Sequence, residues 1–300
     1  MEKATAYMTL WARCNVSPCV FCVLGETSKK KEPIVTSIKK TVDEIELKLA
    51  RLDWDKHDKV FFTGGEAFNH EEPMRNIEPF WELLGILKEY VTGGKLKKII
   101  FSSSFKFDFR GSILEMVVGE IQTKYQDMIP FIEFNTSWDI KYRFFGRDRA
   151  YWLSCVRWLR GQGFRVHVST ICTQAFIKGY VGNSLAVGMV MREFPGDLFD
   201  LIPVRGKYSA LDNMAAFFPK RDHFRDFLEV ISERDTPTFL RFMGQLQGTA
   251  PILYSRSCKQ DVLRLKACGH PPGLKSYANS DKCMVCDAEE FLKTFKDGNK

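Results

Sequence analysis

Long apolar runs are absent from this 300-residue sequence. No stretch approaches the roughly 18 consecutive apolar residues that are needed to span a bilayer. The first residues, Met1 to Tyr7, contain no apolar core of the kind found in secretory signals. We therefore expect a cytoplasmic protein with no membrane partner. A strong excess of one charge is also missing, because the net charge of +7 is modest for the whole chain and excludes no class of partner.

Nine cysteines are present, and a chain without an export signal uses cysteines as reduced thiols and metal ligands more often than as disulfides. The composition, 45% hydrophobic and 27% charged, is ordinary for a soluble globular protein. The length allows one large α/β domain or two small ones.

Three of the cysteines, Cys14, Cys19 and Cys22, lie within nine residues, directly after an extended apolar run. They cannot all pair as disulfides in so short a loop, whereas iron–sulfur clusters take thiolates at spacings of this kind. A cluster held by three cysteines leaves one iron open to an external ligand, which favours an active site. A zinc site completed by a distant fourth ligand, or three buried cysteines that happen to cluster, are the alternatives.

The loop resembles the cluster-binding loop of the radical S-adenosylmethionine (SAM) enzymes, C-x3-C-x2-C with an aromatic residue before the last cysteine. Phe21 matches the aromatic residue, although four residues separate Cys14 from Cys19 here. The resemblance implies a [4Fe-4S] cluster on Cys14, Cys19 and Cys22, with SAM chelating its open iron and Phe21 near the adenine. It implies reductive cleavage of SAM to a 5′-deoxyadenosyl radical that abstracts hydrogen from a substrate. A one-electron donor such as flavodoxin or ferredoxin would be the partner.

Strands and helices alternate along the chain. Strands are predicted at residues 6–13, 59–63, 98–102, 131–135, 164–170 and 198–203, and helices at about 38–52, 77–87, 112–124, 149–160, 185–192 and 221–232. From residue 60 the strand starts recur about every 33 to 38 residues, the length of one strand, one crossover helix and two loops. Six such units predict an α/β protein with a partial (βα)6 TIM-like barrel, which is also the radical SAM fold. We predict the barrel over residues 1–235 and a small cysteine-rich extension over residues 236–300.

Active sites of such barrels lie at the carboxyl ends of the strands. Gly64, Gly65 and Glu66 follow the second strand and resemble the family's Gly-Gly-Glu motif, which implies that they hold the amino group of the methionine moiety of SAM. Two glycines let backbone carbonyls approach an ammonium group, and Glu66 can either accept as well or tie the turn down. An ordinary structural turn is the alternative.

Polar residues end the other strands and are candidates for contacts to the ribose or the carboxylate of SAM. The predicted contacts are Ser103, Asn135, Ser137 and Ser169. The alternative interpretation is that these residues only form turns, which serine, asparagine and aspartate favour.

Four cysteines follow the last βα unit, in a stretch rich in proline, glycine and polar residues. They are Cys258, Cys268, Cys283 and Cys286. A Cys-x2-Cys pair is a strong metal signal, and these four could hold an auxiliary iron–sulfur cluster. Zinc, with His270 in place of Cys258, and simple buried thiols are the alternatives. Cys155 and Cys172 are interpreted as small core residues.

Basic residues concentrate between Ile140 and Arg165, where Asp148 is the single acidic residue. The basic residues are Lys141, Arg143, Arg147, Arg149, Arg157, Arg160 and Arg165, interleaved with Trp138, Tyr142, Phe144, Phe145, Tyr151, Trp152 and Trp158. Such a mixture binds phosphates and stacks on bases, which favours a nucleotide or nucleic-acid substrate. A helix with aromatic residues inside and arginines outside gives the same pattern. A peptide or small-molecule substrate, or a non-catalytic zinc protein that binds nucleic acid, remain the other hypotheses.

Overall fold

The computed structural model describes residues 3–11, 14, 38–69, 77–141, 143–203, 219–249, 291 and 294. The strands are β1 (Ala4–Trp11), β2 (His57–Gly64), β3 (Lys98–Ser102), β4 (Ile132–Trp138), β5 (Arg165–Ile171) and β6 (Phe199–Ile202). The helices are α1 (Ile38–Ala50), α2 (Glu78–Thr92), α3 (Ile113–Lys124), α4 (Asp148–Gly161), α5 (Gln174–Val181), α6 (Leu185–Glu193), α7 (Arg221–Arg234) and α8 (Thr236–Thr249). Short 3₁₀ helices cover Gln126–Phe131 and Gly196–Leu198.

The six strands form one parallel sheet in the order β1-β2-β3-β4-β5-β6. In its register Phe61 of β2 pairs with Tyr7 of β1 and with Ile100 of β3. Parallel neighbours require a crossover connection, and at least one helix lies between each strand and the next. This sequential order with helical crossovers is the topology of a partial (βα)6 barrel, so the predicted fold class is confirmed.

Every predicted strand and helix is present, with ends that differ by a few residues, but two helices were not predicted. Helix α5 is only eight residues long, too short for a clear helical period, and begins where the Thr173 hydroxyl accepts a bond from the Phe176 N–H over 3.2 Å. Helix α8 buries Phe239, Phe242 and Leu246 on one face. It falls inside the range predicted as the C-terminal extension, whose boundary at residue 236 stays a prediction.

The chain divides into two compact units, unit 1 (residues 1–136 and 144–167) and unit 2 (residues 137–143 and 168–300). The core of unit 1 is a cluster of phenylalanines on one face of the sheet. Phe62, Phe101 and Phe134 lie side by side on β2, β3 and β4, with ring centroids 5.2 and 5.9 Å apart. Phe68 packs edge-on against Phe101, 5.8 Å away. Each fully buried ring contributes about 1.5–3 kcal/mol to the stability of the unit.

The core of unit 2 is also aromatic. Phe227 of α7 contacts Phe176 and Tyr180 of α5 and Phe242 of α8, with ring centroids 5.4 to 6.2 Å apart. These contacts hold α5, α7 and α8 together. Among the described helices, none has the length and apolar character needed to cross a membrane.

Candidate active site

The predicted cluster loop starts at the carboxyl end of β1. Cys14 follows shortly after the last residue of that strand, Trp11, and is half-buried. The other two predicted ligands, Cys19 and Cys22, and the predicted adenine neighbour Phe21 lie outside the described residues. Their roles therefore stay predictions. The start of the loop is at the end of the sheet where parallel α/β proteins bind their ligands.

The predicted Gly-Gly turn is pressed against that strand end. Gly64 ends β2 with φ +134°, a conformation that residues with a Cβ rarely adopt. A Cβ added there would lie 2.0 Å from the carbonyl oxygen of Trp11. The backbone N–H of Gly65 donates a hydrogen bond to the same oxygen over 2.6 Å. The turn is therefore in contact with the backbone that runs on to Cys14.

Glu66 completes the turn, and its buried carboxylate, 1% exposed, is surrounded by donors. Oε1 accepts from the Phe68 N–H over 3.1 Å and from the Ser103 hydroxyl over 2.9 Å, while Oε2 accepts from the Ser104 N–H over 2.6 Å. The Ser104 hydroxyl also donates to Oε2. Burial raises the pKa of Glu66, and the bonds from Ser104, Ser103 and Phe68 oppose that rise. These contacts are those of a residue that ties the turn down.

Asn135, a predicted SAM contact on β4, is paired with a residue that sequence reasoning missed. Its Nδ2 lies 2.8 Å from Nδ1 of His167 on β5, and both side chains are half-buried. Arg165, His167 and Ser169 alternate along β5 and so share one face. Ser169 is a predicted SAM contact on this strand, so the alternation could have identified His167, two residues earlier on the same face.

A second polar group lies on the same face of the sheet in unit 1. The carboxylate of Glu133, two residues before Asn135 on β4, is 5% exposed and pairs with Lys98 Nζ at 2.7 Å and Arg165 Nε at 2.9 Å. Two cations share one carboxylate, so this group carries a net positive charge. The two polar groups distinguish this face from the phenylalanine face.

Ser103, Ser137 and Ser169 are the remaining predicted SAM contacts. Ser103 is 4% exposed and donates its hydroxyl to Glu66. Ser137 and Ser169 belong to unit 2, where both are half-buried and Ser169 pairs in register with Asp200 of β6. The role of all three serines as SAM contacts stays a prediction.

Neither a family model nor a curated protein sequence matches this chain. Solved structures do match it. Two are native anSMEcpe, a radical SAM anaerobic sulfatase-maturating enzyme, with bound AdoMet and either the Cp18Cys or the Kp18Cys peptide. Each is 12% identical, covers 83% of this chain and 66% of its own, and superposes with a TM-score of 0.50. This chain has the fold of anSMEcpe.

A third structure, hexahistidine-tagged anSMEcpe with bound AdoMet, gives 13% identity over 82% of this chain and 66% of its own, with a TM-score of 0.50. Identities this low establish the fold and no finer property. The chain spans 66% of the length of anSMEcpe.

The tryptophans of the predicted basic segment pack inside their units. Trp138 and Trp152 are 3% and 2% exposed, and the Trp152 indole N–H donates to the Thr136 hydroxyl over 3.1 Å. Trp158 stacks on Phe109, with ring centroids 4.4 Å apart. These contacts agree with the alternative in which the aromatic residues pack a helix against a sheet.

The arginines of that segment divide by exposure. Arg143 is 5% exposed, whereas Arg149 is exposed and lies over the Phe144 ring, 5.7 Å from its centroid. Arg147, Arg157 and Arg160 have exposed side chains at the start of α4 and along it. Tyr142 lies outside the described residues. The exposed arginines are the part of the segment that could meet an anionic partner.

The interpretation of Cys155 and Cys172 as core residues is confirmed, since both are fully buried. Burial raises the pKa of both thiols, and the nearby Glu66 carboxylate adds to the rise at Cys155. The C-terminal cysteines, Cys258, Cys268, Cys283 and Cys286, lie outside the described residues, as does His270. Among the residues that the structure does describe, no three His, Cys, Asp or Glu side chains are grouped as a metal site.

Proposed function

We propose that this chain is a radical SAM enzyme, with a [4Fe-4S] cluster on Cys14, Cys19 and Cys22 and SAM at the carboxyl ends of β1 and β2. The observation that carries the proposal is the hydrogen bond from Gly65 to Trp11, over 2.6 Å. It joins the Gly-Gly turn to the strand end that leads into the cysteine loop. The shared fold with anSMEcpe, which binds AdoMet, supports the same interpretation.

The described residues fit this ligand set. Cys14 is a half-buried thiol just after a strand end, on the ligand-binding edge of the sheet, and would be one of the three thiolates that hold the cluster. Gly64 has no Cβ, and the turn can therefore present its backbone carbonyls to an ammonium group. When bound, a reduced cluster of this kind supplies the electron that cleaves SAM.

The remaining tasks belong to side chains of this chain. Asn135 and His167 place an amide and an imidazole on one face of the sheet, where they can hydrogen-bond the ribose or the carboxylate of SAM. The buried Trp11 keeps water from the strand end next to the cysteine loop. A flavodoxin or ferredoxin supplies the electron from outside, and the C-terminal cysteines hold an auxiliary cluster or zinc.

Different observations support a peptide substrate and a nucleotide substrate. The nucleotide hypothesis depends on aromatic residues that stack on bases, and Trp138, Trp152 and Trp158 are packed against protein instead. Two of the similar structures hold peptides. We therefore favour a peptide substrate. The exposed arginines of α4 and the Phe145 ring, 48% exposed, are the remaining support for a nucleotide or nucleic acid.

Anaerobic purification followed by iron and sulfide analysis tests the proposal. The parent protein should be brown, contain iron and sulfide, and convert SAM to 5′-deoxyadenosine when reduced. Cys14→Ala, Cys19→Ala and Cys22→Ala should each lose the colour and the activity, whereas the matched control Cys155→Ala should keep both. A colourless zinc protein would overturn the proposal in favour of a structural zinc site. A Cys19→Ala protein with the parent rate would overturn the assignment of the cluster to these three cysteines.

A further inference from the structure

The carboxylate of Glu66 has no room for an additional partner. An ionised carboxylate offers about four acceptor sites on its two oxygens. Four donor groups already reach it: the Phe68 N–H, the Ser103 hydroxyl, and the N–H and hydroxyl of Ser104. The Ser103 hydroxyl lies within 3.0 Å of both oxygens. A ligand ammonium at this turn must therefore be held by backbone carbonyls and not by Glu66.

The two serines are fixed by more than Glu66. The Ser103 hydroxyl accepts from the Phe105 N–H over 3.3 Å, and the Ser104 hydroxyl accepts from the Lys106 N–H over 3.3 Å. Each hydroxyl thus donates to the carboxylate and accepts from the backbone two residues later. The segment 103–106 after β3 is bound to the turn after β2 through these groups.

Backbone strain in the same segment indicates that its conformation is imposed. Phe105 is fully buried with φ +53°, a region that bulky residues rarely enter. Such a conformation persists only where the surroundings determine it, and it occurs often at functional sites. On its far side, the buried Lys106 ammonium lies 3.6 Å from the Asp148 carboxylate at the start of α4. The segment is therefore held at both ends.

We infer that Ser104 is a positioning residue of the SAM site: it holds Glu66, and through Glu66 it fixes the Gly64-Gly65 turn in the conformation that receives the SAM ammonium. The inference rests on the proposed function. In this inference Ser104 acts through Glu66 and not through a contact of its own with SAM. It also predicts that Ser104 and Glu66 act as one unit, because the same bonds serve both.

Anaerobic calorimetry of SAM binding to the cluster-loaded protein tests this role. Ser104→Ala should weaken SAM binding about tenfold, as is typical when a supporting partner behind a ligand contact is removed, while the iron content stays at the parent level. Ser104→Thr keeps the hydroxyl and should recover most of the affinity. The control is Ser112→Ala, which removes the hydroxyl of a fully buried serine, the cap of α3, whereas Ser104 itself is half-buried. It should lower thermal stability without changing SAM affinity.

A double variant tests the path through Glu66. Glu66→Gln puts an amide donor where the Ser104 donors point, so it should weaken SAM binding as Ser104→Ala does. The pair Glu66→Gln, Ser104→Ala should lose no more affinity than the weaker-binding single variant. Losses that simply add would contradict the inference, since Ser104 would then act independently of Glu66. Ser103→Ala, expected to weaken binding in the same direction, replaces Ser104→Ala if that protein does not fold.

The outcomes separate this inference from the proposed function. A parent protein that binds SAM, together with a Ser104→Ala protein of equal affinity, overturns the positioning role and leaves the radical SAM assignment intact. A parent protein with a cluster-free cysteine loop and no SAM binding overturns both. A loss of affinity in Ser112→Ala equal to that in Ser104→Ala would show a general effect of stability and would also overturn the positioning role.

Discussion

The backbone N–H of Gly65 donates a hydrogen bond of 2.6 Å to the carbonyl oxygen of Trp11. This bond occurs where the register between β1 and β2 shifts: Thr9 pairs with Thr63, and Trp11 pairs with the next residue, Gly64. An extra residue on one strand bends it and is common beside active sites. The register shift lies in the last residues of β1, shortly before Cys14, and the bond joins the Gly64-Gly65 turn to that strand end through backbone atoms.

Replacing Gly64 tests how closely the two strand ends must approach. Gly64→Ala places a Cβ 2.0 Å from the Trp11 carbonyl oxygen, at a φ that alanine rarely adopts. The free energy of unfolding should fall by at least about 2 kcal/mol, from strain and overpacking together. Urea unfolding measures it. The control Gly119→Ala, in an exposed helical position with nothing within 4 Å, should raise stability by up to about 1 kcal/mol.

Gly65→Val separates the ligand role of the turn from its structural role. The valine keeps the N–H that bonds to Trp11, but its side chain would push the backbone carbonyls away from a ligand ammonium. SAM binding should be lost while the iron content stays near the parent value. Calorimetry measures the SAM affinity, and iron analysis of the same preparation measures the cluster content. An unchanged SAM affinity would mean that Gly64 and Gly65 form an ordinary turn.

The sheet could be predicted because its signal is local. Runs such as Val60 to Phe62 on β2 recur at a regular interval, and each strand can be recognised without knowing its partners. The bond between Glu66 and Ser104 joins residues 38 positions apart, and no periodic pattern reports such a pair. The same holds for Asn135 and His167, 32 positions apart. Sequence reasoning therefore found the strand ends but not the partners of their side chains.

The stability contributed by Glu66 should depend on pH. Burial raises its pKa above the ordinary value of 4.5, so the folded protein holds this proton more tightly than the unfolded chain. The stability that Glu66 contributes is full at pH values below its pKa in the unfolded chain. It is lost as the pH rises through its pKa in the folded protein. Relative to Glu66→Gln, which does not titrate, the parent should therefore lose stability as the pH rises from the ordinary carboxyl pKa through the raised one.

Urea unfolding of both proteins at several pH values measures this difference. Ser112→Ala is the matched control, because it removes a buried hydroxyl that does not titrate, and its difference from the parent should stay constant with pH. A parent that gains stability over Glu66→Gln as the pH rises would show that the hydrogen bonds to Glu66 outweigh its burial.

Cys155 and Cys172 should be inert in the folded protein. Both are fully buried, and burial raises the pKa of each thiol, so little thiolate forms and reagents have no access. Labelling with a thiol reagent, followed by mass spectrometry, should modify neither residue until the protein unfolds. The same experiment in denaturant provides the control. Rapid labelling of either residue under native conditions would place it at an accessible site instead.

The exposed arginines of α4 decide between nucleic acid and peptide as substrate. Arg147 and Arg157 have exposed side chains, so they could contact phosphates. If they do, the affinity for single-stranded DNA or RNA falls as salt rises, and the double variant Arg147→Ala, Arg157→Ala reduces the slope of log affinity against log salt by about 1.4, roughly 0.7 for each phosphate contact. Arginines that only cover a helix give no such dependence.

Following our preference for a peptide, we expect no salt-dependent binding of nucleic acid by the parent protein at physiological ionic strength. The test of this expectation is to measure the binding of DNA, RNA and mononucleotides to both proteins at several salt concentrations. A salt slope that flattens in the double variant would restore the nucleic-acid hypothesis.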